Sequence, residues 1–213
     1  NHFIGIGRNP VNQKIALDLN LVDEFCTLPE AIERADIIIL CAPVHTNRDL
    51  LPGILDAIAN THKVVIDMGS TKVGIANAVE NHPARGRFVA SHPMAGTEYS
   101  GPLAALENLF DHKTGIICDK EKSDADALAL TEKLYKTINM QMIYMSSTNH
   151  DMHVAYVSHI SHITSFALAL TVIDKEKNEK NILNLAGGGF ESTVRLAKSS
   201  AATWTPIFFQ NKK

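Results

Sequence analysis

The stretch Ala35-Asp36-Ile37-Ile38-Ile39-Leu40-Cys41-Ala42-Pro43-Val44 decides the fold. Ile37 to Cys41 are consecutive apolar residues without polar alternation, which predicts a strand covered on both faces, as in a parallel sheet. Ala42-Pro43-Val44 ends the run, because proline removes a backbone donor and restricts the residue before it. Similar units flank it. Upstream, Phe3 to Ile6 reads as a short strand. Asn9 is the expected N-cap of a helix with Pro10 in its first position and an apolar stripe of Ile15, Ala16 and Leu19. Pro29 to Arg34 is a second short helix. Downstream, Asn47 is expected to cap a helix reaching about Ala59. Val64-Val65-Ile66 is the next buried strand, followed by Asp67-Met68-Gly69-Ser70-Thr71-Lys72 and a helix to about Glu80.

Further on, Arg87 to Ala90, Gly115 to Cys118 and Gln141 to Met145 read as strands, with a helix from Asp124 to Thr137. This alternation predicts a doubly wound, mostly parallel α/β sheet over residues 1–146. The pattern changes at Ser146. Thr148-Asn149-His150-Asp151 resembles a capping box with aspartate in the last place. A long apolar helical pattern runs from there to about Ile173. Lys175 to Lys180 is a charged turn, and the rest is helical apart from Gly187-Gly188-Gly189. Residues 147–213 are therefore expected to form a separate all-helical domain. Asn1 begins almost inside a strand and the chain stops at Lys213 without a cap, so both ends read as cut.

The 213 residues are 45% hydrophobic and 20% charged with a net charge of −3, a composition that supports a packed core. Without a basic patch, nucleic acid is not an expected partner. Neither a run of about 20 apolar residues nor a signal peptide is evident, so the expectation is a cytoplasmic protein without a membrane segment. Cys26, Cys41 and Cys118 are odd in number and far apart. They read as free thiols, with Cys41 and Cys118 buried in apolar strands.

Four places carry candidate chemistry. The first is Ser91-His92-Pro93-Met94-Ala95-Gly96-Thr97-Glu98. An exposed His-Pro on a loop shaped by Gly96, at the C-terminal end of a buried strand, lies where open α/β sheets bind ligands. His92 is the expected acid/base centre. The second is Ser70, at a strand end before a helix. Its hydroxyl suits either orienting a histidine or a nicotinamide amide, or capping the helix. The third is the set His150, His153, His159 and His162. On a helix His159 and His162 lie about 60° apart, and His150 and His162 about 120° apart. Without a His-Glu-x-x-His motif or a nearby cysteine pair, contact across the domain junction or with an anionic substrate is favoured over metal. The fourth is Gly187-Gly188-Gly189 followed by Glu191 and Arg195. The glycines predict a close backbone approach. Arg195 suits a bidentate carboxylate contact or a pair with Glu191 one helical turn away. Trp204, the only tryptophan, reads as a core anchor before a ligand wall.

Gly5-Ile6-Gly7 is a false dinucleotide signature, because Pro10 stands in place of the third glycine. Phe3 to Ile6 is better read as the second strand of such a fold, with the first strand and its glycine loop expected upstream. The acidic residue that commonly binds the adenosine ribose at the end of this strand is replaced by Gly7 and Arg8. A guanidinium suits a 2′-phosphate, which favours NADP over NAD. Arg8 as a plain surface residue is the alternative.

Together these motifs resemble the prephenate dehydrogenase family (prephenate and arogenate dehydrogenases of tyrosine biosynthesis). The resemblance rests on Ala35 to Pro43, Asp67 to Lys72, Ser91 to Glu98, His150-Asp151, Val157-Ser158-His159-Ile160-Ser161-His162, and Gly188-Gly189-Phe190 with Arg195. It implies a Rossmann domain with a helical dimerisation domain, hence a homodimer. It implies NAD(P)-dependent oxidative decarboxylation of prephenate to 4-hydroxyphenylpyruvate. By position, His92 is similar to the catalytic histidine, Ser70 to its partner beside the nicotinamide, and Arg195 to the substrate-carboxylate arginine. Thr97, Glu98, His150, His162 and Trp204 fall around the substrate. Arg8, Asn9, Ala42, Pro43, Val44 and Ser70 fall around the cofactor. The chain departs from the pattern in lacking the glycine loop, in carrying Ser192 three residues before the arginine, and in ending soon after Trp204. The rivals are an arogenate dehydrogenase, a β-hydroxyacid dehydrogenase, for which a catalytic lysine on the helical domain is expected, and a non-catalytic ligand-sensing relative.

Overall fold

The computed structural model describes residues 2–212. Two sheets form the N-terminal half, a small parallel one and a larger mixed one. The small one pairs β1 (Ile4–Gly5) with β2 (Glu24–Phe25), connected by α1 (Pro10–Asp18). The main sheet runs β3 (Ile37–Leu40), β4 (Val64–Asp67), β5 (Phe88–Pro93), β6 (Thr114–Cys118) and β7 (Gln141–Met145) in sequence order. Its pairings are parallel except β5 with β6. The helices between strands are α2 (Leu28–Arg34), α3 (Val44–Ala57), α4 (Val73–Ala78) and α5 (Ala125–Thr137). β4 is buried at every position, and its side chains alternate between two cores. Val65, with Phe88 and Ala90, packs on Leu51, Ile54, Leu55 and Ile58 of the α3 region. Val64 and Ile66, with Val89 and Ile117, pack on Ala127, Tyr135 and Met140. This period-two division explains why the central strands read as unbroken apolar runs.

Several local expectations are corrected. β3 is an edge strand, and Ile39 is 45% exposed rather than covered. Cys41 is exposed, whereas Cys118 is buried. Asn47 is no cap, because α3 already begins at Val44 behind Pro43. It is fully buried, with its Nδ2 donating to Leu40 O (3.1 Å) and Asp67 Oδ1 (3.0 Å). β5 continues to Pro93, so His92 lies on a strand opposite Ile116 and is 9% exposed, not displayed on a loop. Antiparallel pairing with β6, a long-range contact, extends the strand past the proline signal. Gly96 would admit a Cβ freely and its φ is not left-handed, so it is not the loop's required bend.

The helical half comprises α6 (Ser147–Val154), a π-turn at Ala155–His159, α7 (Ile160–Glu176), α8 (Gly188–Val194) and α9 (Ala201–Gln210). Ser146 caps α6 by accepting from Asn149 N (3.2 Å), so Thr148 to Asp151 is not the capping box. Ser147 to Glu176 forms one helical run long and apolar enough to cross a membrane by length and composition, which corrects the expectation that no such segment exists. The histidines and Asp151 break the apolar run in sequence, but not the helix. Among the described residues, Gly187, Gly188 and Gly189 have nothing near a Cβ position, so they mark no close approach. The two halves meet at α4. Thr71 Oγ1 donates to Gln210 Oε1 (2.7 Å), and Ile207 of α9 is buried.

Candidate active site

Where the halves meet, buried polar groups gather around His92. Its Nδ1 lies 2.9 Å from His150 Nε2, and His150 Nδ1 lies 2.8 Å from Asp151 Oδ1. The Asp151 carboxylate also accepts from the backbone amides of Lys72 (2.7 Å) and Val73 (3.0 Å), the first amides of α4. A carboxylate suits helix-start amides, which have no partner within the helix. Here it arrives from the other domain. His150 is fully buried and Asp151 is 1% exposed, and the bond of His150 to His92 is the contact across the junction that was one of the two expectations for the histidine set.

A second polar layer lies beneath. Asp67, at the end of β4, pairs with the Lys72 ammonium, and both are buried. Lys72 Nζ also donates to Ser91 O (2.6 Å), and Gly69 N to Asp67 Oδ1 (3.0 Å). Ser91 Oγ donates to Asp67 O and receives the Tyr135 hydroxyl, each at 2.8 Å. Tyr135 crosses under β6 only because residue 115 is glycine. A Cβ there would lie 2.6 Å from its ring. The layer fixes β5, and His92 with it, against β4.

Electrostatics follow from this burial. Desolvation, with the nearby Lys72 charge, holds the His92 imidazole well below the usual histidine range. Burial likewise lowers His150, and lowers His159 to about 4. Burial alone would raise the Asp151 carboxyl, but the His150 bond and the two amides outweigh it and hold the group below its ordinary value. At neutral pH the three histidines are uncharged and Asp151 is ionised.

Helices α7 to α9 provide the rim. Arg195, just after α8, pairs with Glu98 at 2.8 Å, with the arginine side chain 53% and the glutamate 13% exposed. The alternative pair with Glu191 does not form. His162 stacks on Trp204 with centroids 3.4 Å apart, and its Nδ1 lies 3.1 Å from Ser158 O. His159 meets Trp204 edge-on, and its Nδ1 lies 3.1 Å from Asn211 Nδ2, which also donates to Asp151 O (2.6 Å). Thr97 is exposed next to Glu98. His153 is exposed and stands outside this group.

At the turns expected to meet the cofactor, β3 and β4 end side by side. A Cβ on Gly69 would lie 3.1 Å from Val44 Cγ1, so glycine permits the close approach of the Ala42–Val44 and Gly69–Ser70 turns. Ser70 is half-buried and neither bonds His92 nor caps α4. The His92 partner is His150, and the α4 amides belong to Asp151. Asn9 Oδ1 accepts from Val11 N (2.9 Å) and Asn12 N (3.4 Å) as the N-cap of α1. Arg8 is exposed and has no hydrogen-bond or ion-pair partner among the described residues. No group of three His, Cys, Asp or Glu side chains suited to a metal ion occurs among the described residues. From the sequence, Lys72 has no expected role and Asp151 is expected only at a helix start, whereas His159, expected at the junction or on an anionic substrate, lies at the junction. The signal was available: charged or titratable groups inside apolar helical or strand-end patterns need partners.

Residues 1–144 match the family model of the prephenate dehydrogenase nucleotide-binding domain, and residues 146–213 that of the prephenate dehydrogenase dimerization domain. The chain is 30% identical over 212 residues to the Bacillus subtilis prephenate dehydrogenase, covering 99% of this chain but only 57% of that protein. The crystal structure of Aquifex aeolicus prephenate dehydrogenase with hydroxyphenyl propionate and NAD+ superposes with a TM-score of 0.84 at 32% identity, over 98% of this chain and 73% of that one. Synechocystis arogenate dehydrogenase follows, with a TM-score of 0.73 at 28% identity over 99% of this chain and 76% of that one. A Rossmann-type nucleotide-binding half and a helical half, each matched in order, place this chain in the prephenate dehydrogenase family.

Proposed function

We infer that the protein oxidatively decarboxylates prephenate to 4-hydroxyphenylpyruvate, and that His92 is its general base. The observation that carries this is a buried, neutral imidazole on β5, bonded through Nδ1 to His150 and six residues before Glu98, the partner of Arg195. A neutral imidazole can hold the substrate ring hydroxyl and accept its proton, a contribution of about 10²–10⁴-fold in rate. A nicotinamide dinucleotide, when bound, supplies the acceptor for the hydride that leaves the hydroxyl-bearing carbon. Arg195 and the His162–Trp204 stack face the dianionic, ring-shaped substrate, with the guanidinium on a carboxylate. Loss of carbon dioxide makes the ring aromatic and draws the reaction forward.

The cofactor would be held by the Ala42–Val44 turn and Ser70 at one end and by Arg8 and the free amide of Asn9 at the other. Gly7 and Arg8 favour NADP, because they stand after β1 where an acidic residue commonly takes the ribose hydroxyls. The uncovered edge of β3 suits a further strand bearing a glycine-rich loop. We place the domain boundary at residues 146/147, where Ser146 caps α6. A homodimer through the helical half accounts for the exposed Tyr156, Val157, Ile160, Leu170 and Ile173 along that helical run.

The second reading, arogenate as substrate, is favoured by the likeness to the Synechocystis enzyme. Steady-state assays of the full-length protein with prephenate and arogenate, each with NAD+ and NADP+, test both. The expected result is highest kcat/KM for prephenate with NADP+. Preference for arogenate selects the second reading, and absence of turnover with all four pairs leaves the non-catalytic relative.

A further inference from the structure

We propose that His150 and Asp151 are positioning residues that select the tautomer of His92, so that its Nε2 carries the lone pair that accepts a proton. This role presupposes that His92 is the base. Asp151 is ionised and only accepts, so His150 Nδ1, 2.8 Å away, must carry the hydrogen. A neutral His150 then has a lone pair on Nε2. That atom lies 2.9 Å from His92 Nδ1, which must in turn donate. His92 Nε2 is left unprotonated and has no hydrogen-bond partner among the described residues. Each step is fixed by the one before it.

The chain is anchored at its far end. Lys72 N and Val73 N hold the Asp151 carboxylate from the nucleotide-binding half, and Asn211 Nδ2 holds its backbone carbonyl from the end of the helical half. The orientation of the base therefore depends on both halves being docked. When His92 Nε2 takes the hydroxyl proton, the oxygen–hydrogen bond breaks and the oxygen keeps the electron pair to form the carbonyl. The imidazolium so formed keeps its Nδ1 hydrogen on His150 Nε2, and the Asp151 carboxylate supports the added charge through His150. The charged and titratable groups around His92 are Lys72 and Asp67 from β4 and the start of α4, His150 and Asp151 from α6, and His159 from the π-turn. All but His150 remain in the variants below.

Nitrogen-15 NMR of histidine tautomers in the substrate-free full-length protein is the direct test, with His150→Gln and His150→Met as variants. In the wild type, His92 and His150 are both expected as Nδ1–H tautomers. His150→Gln keeps an acceptor for His92 Nδ1 and retains its tautomer, whereas His150→Met releases it to a mixture. In turnover, His150→Met is expected to lose about 10²-fold in kcat, with KM for prephenate changed less than about threefold. The acid limb of kcat/KM should move to lower pH, because the imidazolium loses its acceptor. His150→Gln should recover about tenfold of the loss. An Nε2–H tautomer on wild-type His92 overturns the proposal, even if neither variant folds. So do equal kcat losses in the two variants with an unmoved acid limb, or a loss confined to KM. The expected tautomers in a protein that does not turn over prephenate would instead remove the activity reading and leave the positioning intact.

Discussion

His92 and Arg195 are held in opposite ways. His92 is 9% exposed and ends a bonded series that runs through His150 and Asp151 to two backbone amides. The Arg195 side chain is 53% exposed and has one ionic partner, Glu98. A buried group keeps one protonation state and one orientation because every alternative leaves a polar atom unpaired. An exposed ion pair exchanges partners at little net cost. The first arrangement suits chemistry, which needs a fixed base. The second suits capture of an anion, which needs a cation free to leave Glu98. Changes in the buried series should therefore appear in kcat, and changes at the rim in KM.

Arg195→Gln gives the larger effect of two ways to test this contrast. Hydrogen bonds to charged groups contribute about 1.5–3 kcal/mol, so KM for prephenate should rise about 10–100-fold while kcat stays within a few-fold. An unchanged KM would make Arg195 a surface partner of Glu98 alone, and a fall in kcat with KM constant would erase the distinction between rim and base.

A smaller effect concerns stability. His92, His150 and His159 all bind protons more weakly in the folded chain than the ordinary histidine value of 6.5. As pH falls through 6.5 the unfolded chain takes up protons that the folded chain excludes, so stability must drop with acidity in this window. The thermal midpoint should fall between about pH 7 and pH 5, and His159→Gln should flatten the slope. A midpoint independent of pH over that range would mean that these histidines are not desolvated.

What was legible in the sequence divides along similar lines. Val64 to Ile66 read correctly because two cores flank one strand, and that alone produces an unbroken apolar run. Asn9 read correctly because capping is local. Asn47 and Asp151 looked like caps by the same local rules, yet each bonds to groups outside its own helix: Asn47 Nδ2 to Leu40 O and Asp67, Asp151 to amides 79 and 78 residues away. The His-Pro-Met-Ala-Gly stretch located His92 but not its burial, since β6 is what extends β5 through Pro93. Sequence motifs marked which residues bear chemistry. Which of them bond to one another depended on docking of the two halves.

The central claim is that His92 moves the proton during prephenate turnover, and His92→Asn tests it most directly. In the full-length protein with a nicotinamide cofactor, the predicted result is a kcat lower by about 10²–10⁴-fold, with prephenate KM within about twofold in a protein that remains folded. Near-normal kcat in a folded His92→Asn protein would contradict the assignment of the base and, with it, the proposed mechanism.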